Sequence, residues 1–317
     1  MGCEAGPGLS LSLYRQRCVN LPRMNMPADK GPDFICIGMQ KAGTGWLFDQ
    51  LQFHADFWMP PIKQMHYLEH KLTRTGTAEK FLRIARRNPH RRQQRLSHRR
   101  DLDQRDVAFL EQYVSYGGTA MEVGKYISLF QHKGDRLSGE INSGYSGLGE
   151  DVISDLAQHL PKLRTFIILR DPVLRGWSQV SMAYRNGRFD TRLLEDVREF
   201  RSYLKNTPAI QKVAYPSRIV ERWRRAAPNL EFRHFFFDDV ASDPARTRRD
   251  ILRFLGADPD KPSAEIAPDH NRKESDQKLE LTEPIKIAMI EHFADEMRAC
   301  ASMFGGRAHA WASQYGV

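Results

Sequence analysis

Two stretches of the sequence hold residues that could do chemistry together. The first is FICIGMQKAGTGWLFDQL, Phe34 to Leu51. An apolar run passes through Gly38, Gly43 and Gly45, then resumes with helical spacing, and Lys41 sits inside the glycine loop. A strand, a glycine loop and a helix N-terminus form an anion site, because backbone N–H groups point outward and the helix dipole favours negative charge. Lys41 adds a point charge to it. A triphosphate loop requires Lys and then Ser or Thr after its second glycine. Here Thr44-Gly45 follows Gly43, so the lysine is shifted back and no hydroxyl directly follows it to hold Mg²⁺. A cradle for one phosphate without a metal fits better than one for a triphosphate. The second stretch is FIILRDPVLRGWSQV, with Arg170 at the end of an apolar run and Ser178 eight residues on. Arg170 can fork onto a second phosphate and Ser178 can add a hydroxyl. The competing readings are a glycine turn that binds nothing and an Arg170 that pairs with Asp171 or another carboxylate.

The elements that must position these groups are legible as alternating strands and helices. Phe34 to Gly38, Thr165 to Leu169 and Leu230 to Phe237 read as short buried strands. Helical spacing is read over Thr44–Phe53, Ala78–Arg87, Asp106–Tyr116, Lys125–Phe130, Glu150–His159, Ser217–Ala227, Pro244–Leu255 and Pro284–Phe304. Asp171-Pro172 opens a further helix, with Asp as N-cap and Pro at the first helical position, and Gly256 closes another. Such alternation predicts an α/β fold with a central parallel sheet flanked by helices. In an open parallel sheet, residues at the carboxyl ends of strands line the ligand crevice, which is where Arg170 falls.

The 317 residues, 41% of them hydrophobic, suffice for one large α/β domain or two modest ones. Cys3, Cys18, Cys36 and Cys300 show no metal-like spacing and fit a reducing compartment. No apolar run approaches the roughly 20 residues that cross a bilayer, and MGCEAGPGLS lacks the pattern of a signal peptide. Gly6 stands where the myristoylation pattern needs Ser or Thr. A cytoplasmic location is the expectation. Residues 1 to about 30 read as a poorly ordered extension ahead of one domain over 31–317. The formal charge of +9 suggests an anionic partner. Much of the excess lies in Arg83 to Arg105, a basic helical insertion at about 72–105, read either as a solvated face or as a docking surface for an acidic acceptor or anionic membrane. It lacks interleaved aromatics, which argues against nucleic acid.

FICIGMQKAGTGWLFDQL resembles the 5′-phosphosulfate loop of sulfotransferases that use 3′-phosphoadenosine 5′-phosphosulfate (PAPS), and FIILRDPVLRGWSQV resembles their 3′-phosphate motif. IKQMHYLE, YISLF and GEINSGYS look like the blocks between these motifs in bacterial and glycosaminoglycan-type members. The resemblance spans about residues 33 to 315. It implies a P-loop-like three-layer fold. It further implies that Lys41, Ala42, Gly43, Thr44, Gly45 and Trp46 hold the 5′-phosphosulfate, and that Arg170 and Ser178 hold the 3′-phosphate. The donor would be PAPS, the product adenosine 3′,5′-bisphosphate, and no metal would be needed. Asn271, Arg272 and Lys273 lie where some members place a mobile loop over the nucleotide.

Sulfuryl transfer needs in-line geometry, charge stabilisation and a base for the acceptor hydroxyl. Lys41 can neutralise charge on the leaving oxygen, and Lys63 can steady the transferring sulfonate. Glycosaminoglycan-type members of the family it resembles typically carry Lys-Glu-x-His-Phe/Tyr at this point, with Glu as base. This chain has Lys63-Gln64-Met65-His66, and a Gln accepts no proton. His66 can; Glu69 and Glu140 are the other candidates. Alternatively the acceptor needs little help, or the chain is catalytically impaired. The leading expectation is a sulfotransferase acting on a carbohydrate or glycolipid hydroxyl. Its rivals are a metal-dependent nucleotide kinase or NTPase with an altered loop, and a nucleotide- or glycan-binding protein on the same fold.

Overall fold

The computed structural model describes residues 30–69, 75–87, 100–261, 266–270 and 279–317. Apart from Lys30, the expected N-terminal extension lies outside them, as do 72–74 and 88–99 of the basic insertion.

Strand β1 (Phe34–Cys36) is followed by helix α1 (Thr44–Gln52). Helices α2 (Thr75–Arg87), α3 (Gln104–Ser115) and α4 (Val123–Ser128) fill the connection to β2 (Gly139–Ile141). Helix α5 (Glu150–His159) leads to β3 (Arg164–Leu169). Helices α6 (Pro172–Arg185), α7 (Val197–Asn206), α8 (Pro208–Val213) and α9 (Pro216–Ala226) lead to β4 (Glu231–Phe236). After it come α10 (Phe237–Ser242), α11 (Pro244–Leu255), α12 (Glu283–Phe304) and α13 (Gly306–Tyr315).

The four strands form one sheet in the order β2-β1-β3-β4, and every pairing is parallel. Phe34, Ile35 and Cys36 are fully buried, which explains why β1 reads as an unbroken apolar run rather than an alternating one. Cys36 stands beside Ile141 on one side and Phe166 on the other. The carboxyl ends of β1, β2 and β3 therefore open along one edge. The 37–43 loop, the 142–147 turn, Arg170 and Phe237 all leave the sheet there. Beyond the sheet core, a second apolar cluster joins α6, α7 and α12 through Val173, Val180, Phe200, Leu204, Met289 and Phe293.

The Asp171-Pro172 start of α6 is as expected: Asp171 Oδ1 accepts from the N–H of Val173 at 2.7 Å and of Leu174 at 3.3 Å. Its Oδ2 accepts from the Tyr315 hydroxyl at 2.6 Å. Helix α13 thus closes back over the strand ends, held also by Trp311 Nε1 donating to Asp238 at 3.1 Å. Burial raises the pKa of Asp171 above the usual carboxylate range, against the pull of its donors. The Tyr315 phenol is raised too, by burial and then by its bond to Asp171.

Tyr315→Phe removes this donor and leaves Asp171 Oδ2 without it. Denaturant unfolding should show a loss of about 1–3 kcal/mol at an unchanged m value. Unchanged stability would mean that α13 docks through its indole alone.

Candidate active site

The loop after β1 keeps the register of the sheet before it turns. Ile37 N–H donates to Phe166 O at 2.9 Å, Met39 N–H to Ile168 O at 3.0 Å, and Ile168 N–H to Gly38 O at 2.8 Å. The chain then passes through two left-handed residues, Lys41 at φ 70° and Gly43 at φ 84°. Gly43 is the N-cap of α1, and among the described residues no side-chain cap closes that helix. The first-turn N–H groups around Thr44, Gly45 and Trp46 are thereby left to a ligand or solvent. A Cβ on Gly43 would come 3.0 Å from Phe237 Cδ2, so the loop lies directly on that ring.

Arg170 sits against the same ring, its guanidinium carbon 4.6 Å from the Phe237 centroid. Its Nη1 donates to the carbonyl oxygen of Lys41 at 2.7 Å. The two phosphate-like motifs, remote in sequence, are therefore joined by a direct hydrogen bond. Burial lowers the Arg170 pKa, while Asp171, Asp238 and Tyr315 oppose the shift. Ser178 is partly exposed on α6, two turns into the helix. Between them lies Arg175, which the sequence reading did not single out. It is fully buried, its Nη1 donates to Gln179 at 2.8 Å, and its Nε and Nη2 meet no acceptor among the described residues. Burial, then the charge of Arg170, pushes its pKa down to about 10.

The second part of the site is the strap 63–69. Lys63 Nζ lies 6.0 Å from the Phe48 ring centroid on α1. Gln64 and His66 both adopt positive φ, 59° and 58°. With Lys41 they are the only non-glycine residues at positive φ among the described residues. Such a conformation is strained for a residue with a Cβ, and it persists only where the surroundings impose it. Here they grip the intervening peptide from both sides. Met65 N–H donates to Glu140 Oε1 at 2.7 Å, and Met65 O accepts from the Tyr113 hydroxyl at 2.8 Å. Gln64 Nε2 donates to Ser143 Oγ at 2.7 Å. His66 Nδ1 lies 2.8 Å from Glu69 Oε1.

Glu140 was one of three candidate bases, and its surroundings give it a different role. It is 2% exposed. Oε1 also accepts from Asn142 Nδ2 at 3.0 Å, and Oε2 accepts from the Tyr145 hydroxyl at 2.7 Å. Burial raises its pKa, with these donors pulling the other way. Both oxygens are committed to holding the strap and the 142–145 turn, so Glu140 organises the site from beneath. Nothing in the pattern GEI separates this role from a catalytic one.

Two indoles tie down the residues on either side of 271–278. Trp46 Nε1 donates to Pro268 O at 2.6 Å, supported by Gln50 Nε2 to Ala267 O at 2.9 Å. Trp177 Nε1 donates to Leu279 O at 3.0 Å. Trp46 is one of the residues expected at the phosphosulfate, and its indole N–H already has the Pro268 carbonyl as partner. Asn271, Arg272 and Lys273 lie outside the described residues. In the basic stretch, Arg100 is spent on Asp106, at 2.6 Å to each carboxylate oxygen, and on Met59 O at 2.9 Å. Among the described residues no cluster of three His, Cys, Asp or Glu side chains could hold a metal ion, and no helix is long and apolar enough to cross a membrane.

A profile described as the sulfotransferase family matches residues 32–261. That span includes the glycine loop, the strap and Arg170, and ends before α12. Among solved structures, a sulfotransferase from Alicyclobacillus acidocaldarius is 20% identical, with a TM-score of 0.57, covering 88% of this chain and 98% of that one. Sulfotransferase STF9 from Mycobacterium avium is 14% identical, with a TM-score of 0.41, covering 92% of this chain and 76% of that one. The sulfotransferase domain of the Synechococcus PCC 7002 olefin synthase is 14% identical, with a TM-score of 0.43, covering 91% and 96%. No curated protein matches the sequence.

The raised pKa of Glu140 makes a signed prediction. Above the ordinary value of 4.5 the unfolded chain ionises this group first, so its contribution to stability is full below that pH and is lost as pH rises towards the folded value. Unfolding free energies measured from pH 4 upward should therefore favour Glu140→Gln over wild type progressively with rising pH. A pH-independent difference would mean that the carboxyl is as readily ionised folded as unfolded.

Proposed function

Because the chain belongs to the sulfotransferase family, we propose that it moves a sulfonate from PAPS to a hydroxyl acceptor by in-line displacement. The acceptor is proposed to be a carbohydrate or glycolipid, on the resemblance to glycosaminoglycan-type members and on the net charge of +9. The observation that supports this reading most is the bond from Arg170 Nη1 to the Lys41 carbonyl at 2.7 Å. It draws a partly buried guanidinium to a glycine loop that gives its helix no side-chain cap. An anion carrying two separate phosphates is the ligand such a pair suits.

In this reading the N–H groups at Gly43, Thr44, Gly45 and Trp46, with Lys41, hold the 5′-phosphosulfate. Arg170 and Ser178 hold the 3′-phosphate. PAPS supplies the activated sulfonate and leaves as adenosine 3′,5′-bisphosphate. Lys41 neutralises charge that develops on the leaving oxygen, and Lys63 steadies the sulfonate between donor and acceptor. His66 accepts the proton of the attacking hydroxyl. Gln64 stays a spectator, held on Ser143.

Calorimetric titration with adenosine 3′,5′-bisphosphate in the absence of Mg²⁺, beside ATP with Mg²⁺, tests the donor site. Tight metal-free binding of the bisphosphate is expected; binding of ATP alone would overturn the reading in favour of a kinase or NTPase.

Lys41→Ala and Arg170→Ala should each lower transfer from PAPS about 100-fold or more. Only Arg170→Ala should discriminate between the bisphosphate and an analogue without the 3′-phosphate. Equal losses against both ligands would refute its assignment.

His66→Ala should lower kcat by about 10²- to 10⁴-fold, whereas Gln64→Glu should change it only a few-fold. A large gain in kcat from Gln64→Glu would show that wild type lacks a working base.

A further inference from the structure

We infer that Glu69 is the positioning residue for His66, and that this histidine–carboxylate pair takes the place of the carboxylate missing at position 64. The inference rests on the sulfotransferase reading of the site given above.

The carboxylate of Glu69 meets His66 at Nδ1, at 2.8 Å. An ionised carboxylate only accepts, so Nδ1 carries the hydrogen and Nε2 keeps the lone pair. The ring is thereby held in the one neutral tautomer that can take a proton at Nε2, the atom turned away from Glu69. The spacing is fixed by the backbone: Tyr67–Glu69 is a 3₁₀ turn, and Glu69 N–H donates to His66 O at 3.3 Å. The pair is partly desolvated, with side-chain exposures of 22% for His66 and 13% for Glu69. A hydrogen bond to an ionised group gains strength in such surroundings.

Position 144 is shaped for this carboxylate. A Cβ there would stand 2.0 Å from Glu69 Oε1, so a larger residue would push this flexible carboxylate from its present place on His66. Gly144 is itself held, its N–H donating to Asn142 Oδ1 at 3.0 Å, and Asn142 belongs to the Glu140 network that also grips Met65. The turn that carries Gly144 and the strap that carries His66 are thus fixed to one buried carboxylate. Gln64 is turned to Ser143 instead.

In the transfer step, the acceptor O–H gives its proton to His66 Nε2 and the acceptor oxygen forms the new O–S bond. The S–O bond to the adenosine 5′-phosphate breaks, and its electron pair stays on that phosphate. The products are the sulfated acceptor, adenosine 3′,5′-bisphosphate and a protonated His66, whose charge Glu69 balances.

The test uses Glu69→Ala, Glu69→Asp and Gly144→Ala in the full chain. Each is measured for kcat, KM and bisphosphate affinity. The His66 ring is followed by ¹⁵N–¹H correlation spectra, assigned by the signals lost in His66→Gln. Glu69→Ala should lower kcat about 10- to 100-fold, leave bisphosphate affinity within twofold, and convert the ring from the Nδ1–H tautomer to a mixture. Gly144→Ala should do the same with Glu69 still present, because the new methyl displaces the carboxylate. Glu69→Asp should recover part of both signals. An unchanged ring spectrum and kcat in Glu69→Ala would overturn the inference. So would an inactive Glu69→Ala beside an active His66→Ala, which would make the carboxylate itself the base. Failure of wild type to bind the bisphosphate would sink the sulfotransferase reading; the ring spectra, which need no substrate, would still decide whether Glu69 fixes the tautomer.

Discussion

A residue with a Cβ held at positive φ is disfavoured by about 1–3 kcal/mol, and three such residues are gathered at one edge of this sheet: Lys41, Gln64 and His66. They stay there because neighbouring groups leave the backbone no cheaper arrangement. The carbonyl of Lys41 is fixed by Arg170, and the loop before it is stitched to β3. Gln64 and His66 flank Met65, whose N–H and C=O are both bonded to buried side chains. Relaxing any of the three would break hydrogen bonds that are sheltered from water, and buried groups left without partners cost as much as the strain itself.

Two buried carboxylates do most of the holding, from opposite sides of the site. Asp171 caps α6 and receives α13, which sets the direction in which Arg170 leaves β3. Glu140 gathers Met65, Asn142 and Tyr145, which sets the distance between the strap and the turn after β2. Parallel pairing brings the two halves into one line, because β1 lies between β2 and β3. The catalytic groups proposed here are thus carried by loops, while their positions are dictated by the strand ends and by charges the solvent does not reach.

Where local signals were strong, the sequence was enough. The Asp171-Pro172 start of α6, the Gly256 end of α11 and the whole of α5 fall as expected, since caps and helical periodicity are encoded within a few residues. Strands β1, β3 and β4 are recognisable as apolar runs, each a residue or two shorter or longer than expected. Strand β2 escaped because Gly139-Glu140-Ile141 is too short to show a period. Helix α7 escaped because it buries only Phe200 and Leu204, and α13 because its few buried positions form no long stripe. At the site, Lys41, His66 and Arg170 could be picked out by residue type and motif. The Arg170–Lys41 bond, the buried Arg175 and the structural use of Glu140 could not, because each depends on partners far away in sequence. The His66–Glu69 pair lies between these cases: its spacing of three residues allowed contact, yet only the fold shows the carboxylate seated on Nδ1 beside Gly144.

The bond between Tyr315 and Asp171 joins residues 144 positions apart. Contacts of such separation form late, because the loop they close must first lose its conformational freedom. On the ribosome, where domains take shape as they emerge, the loop, strap and α6 are all made long before the tyrosine that completes the α6 cap. A nascent chain therefore carries this whole edge of strand ends in an unfinished form, with a half-satisfied carboxylate beside it, until the last turn of α13 leaves the exit tunnel.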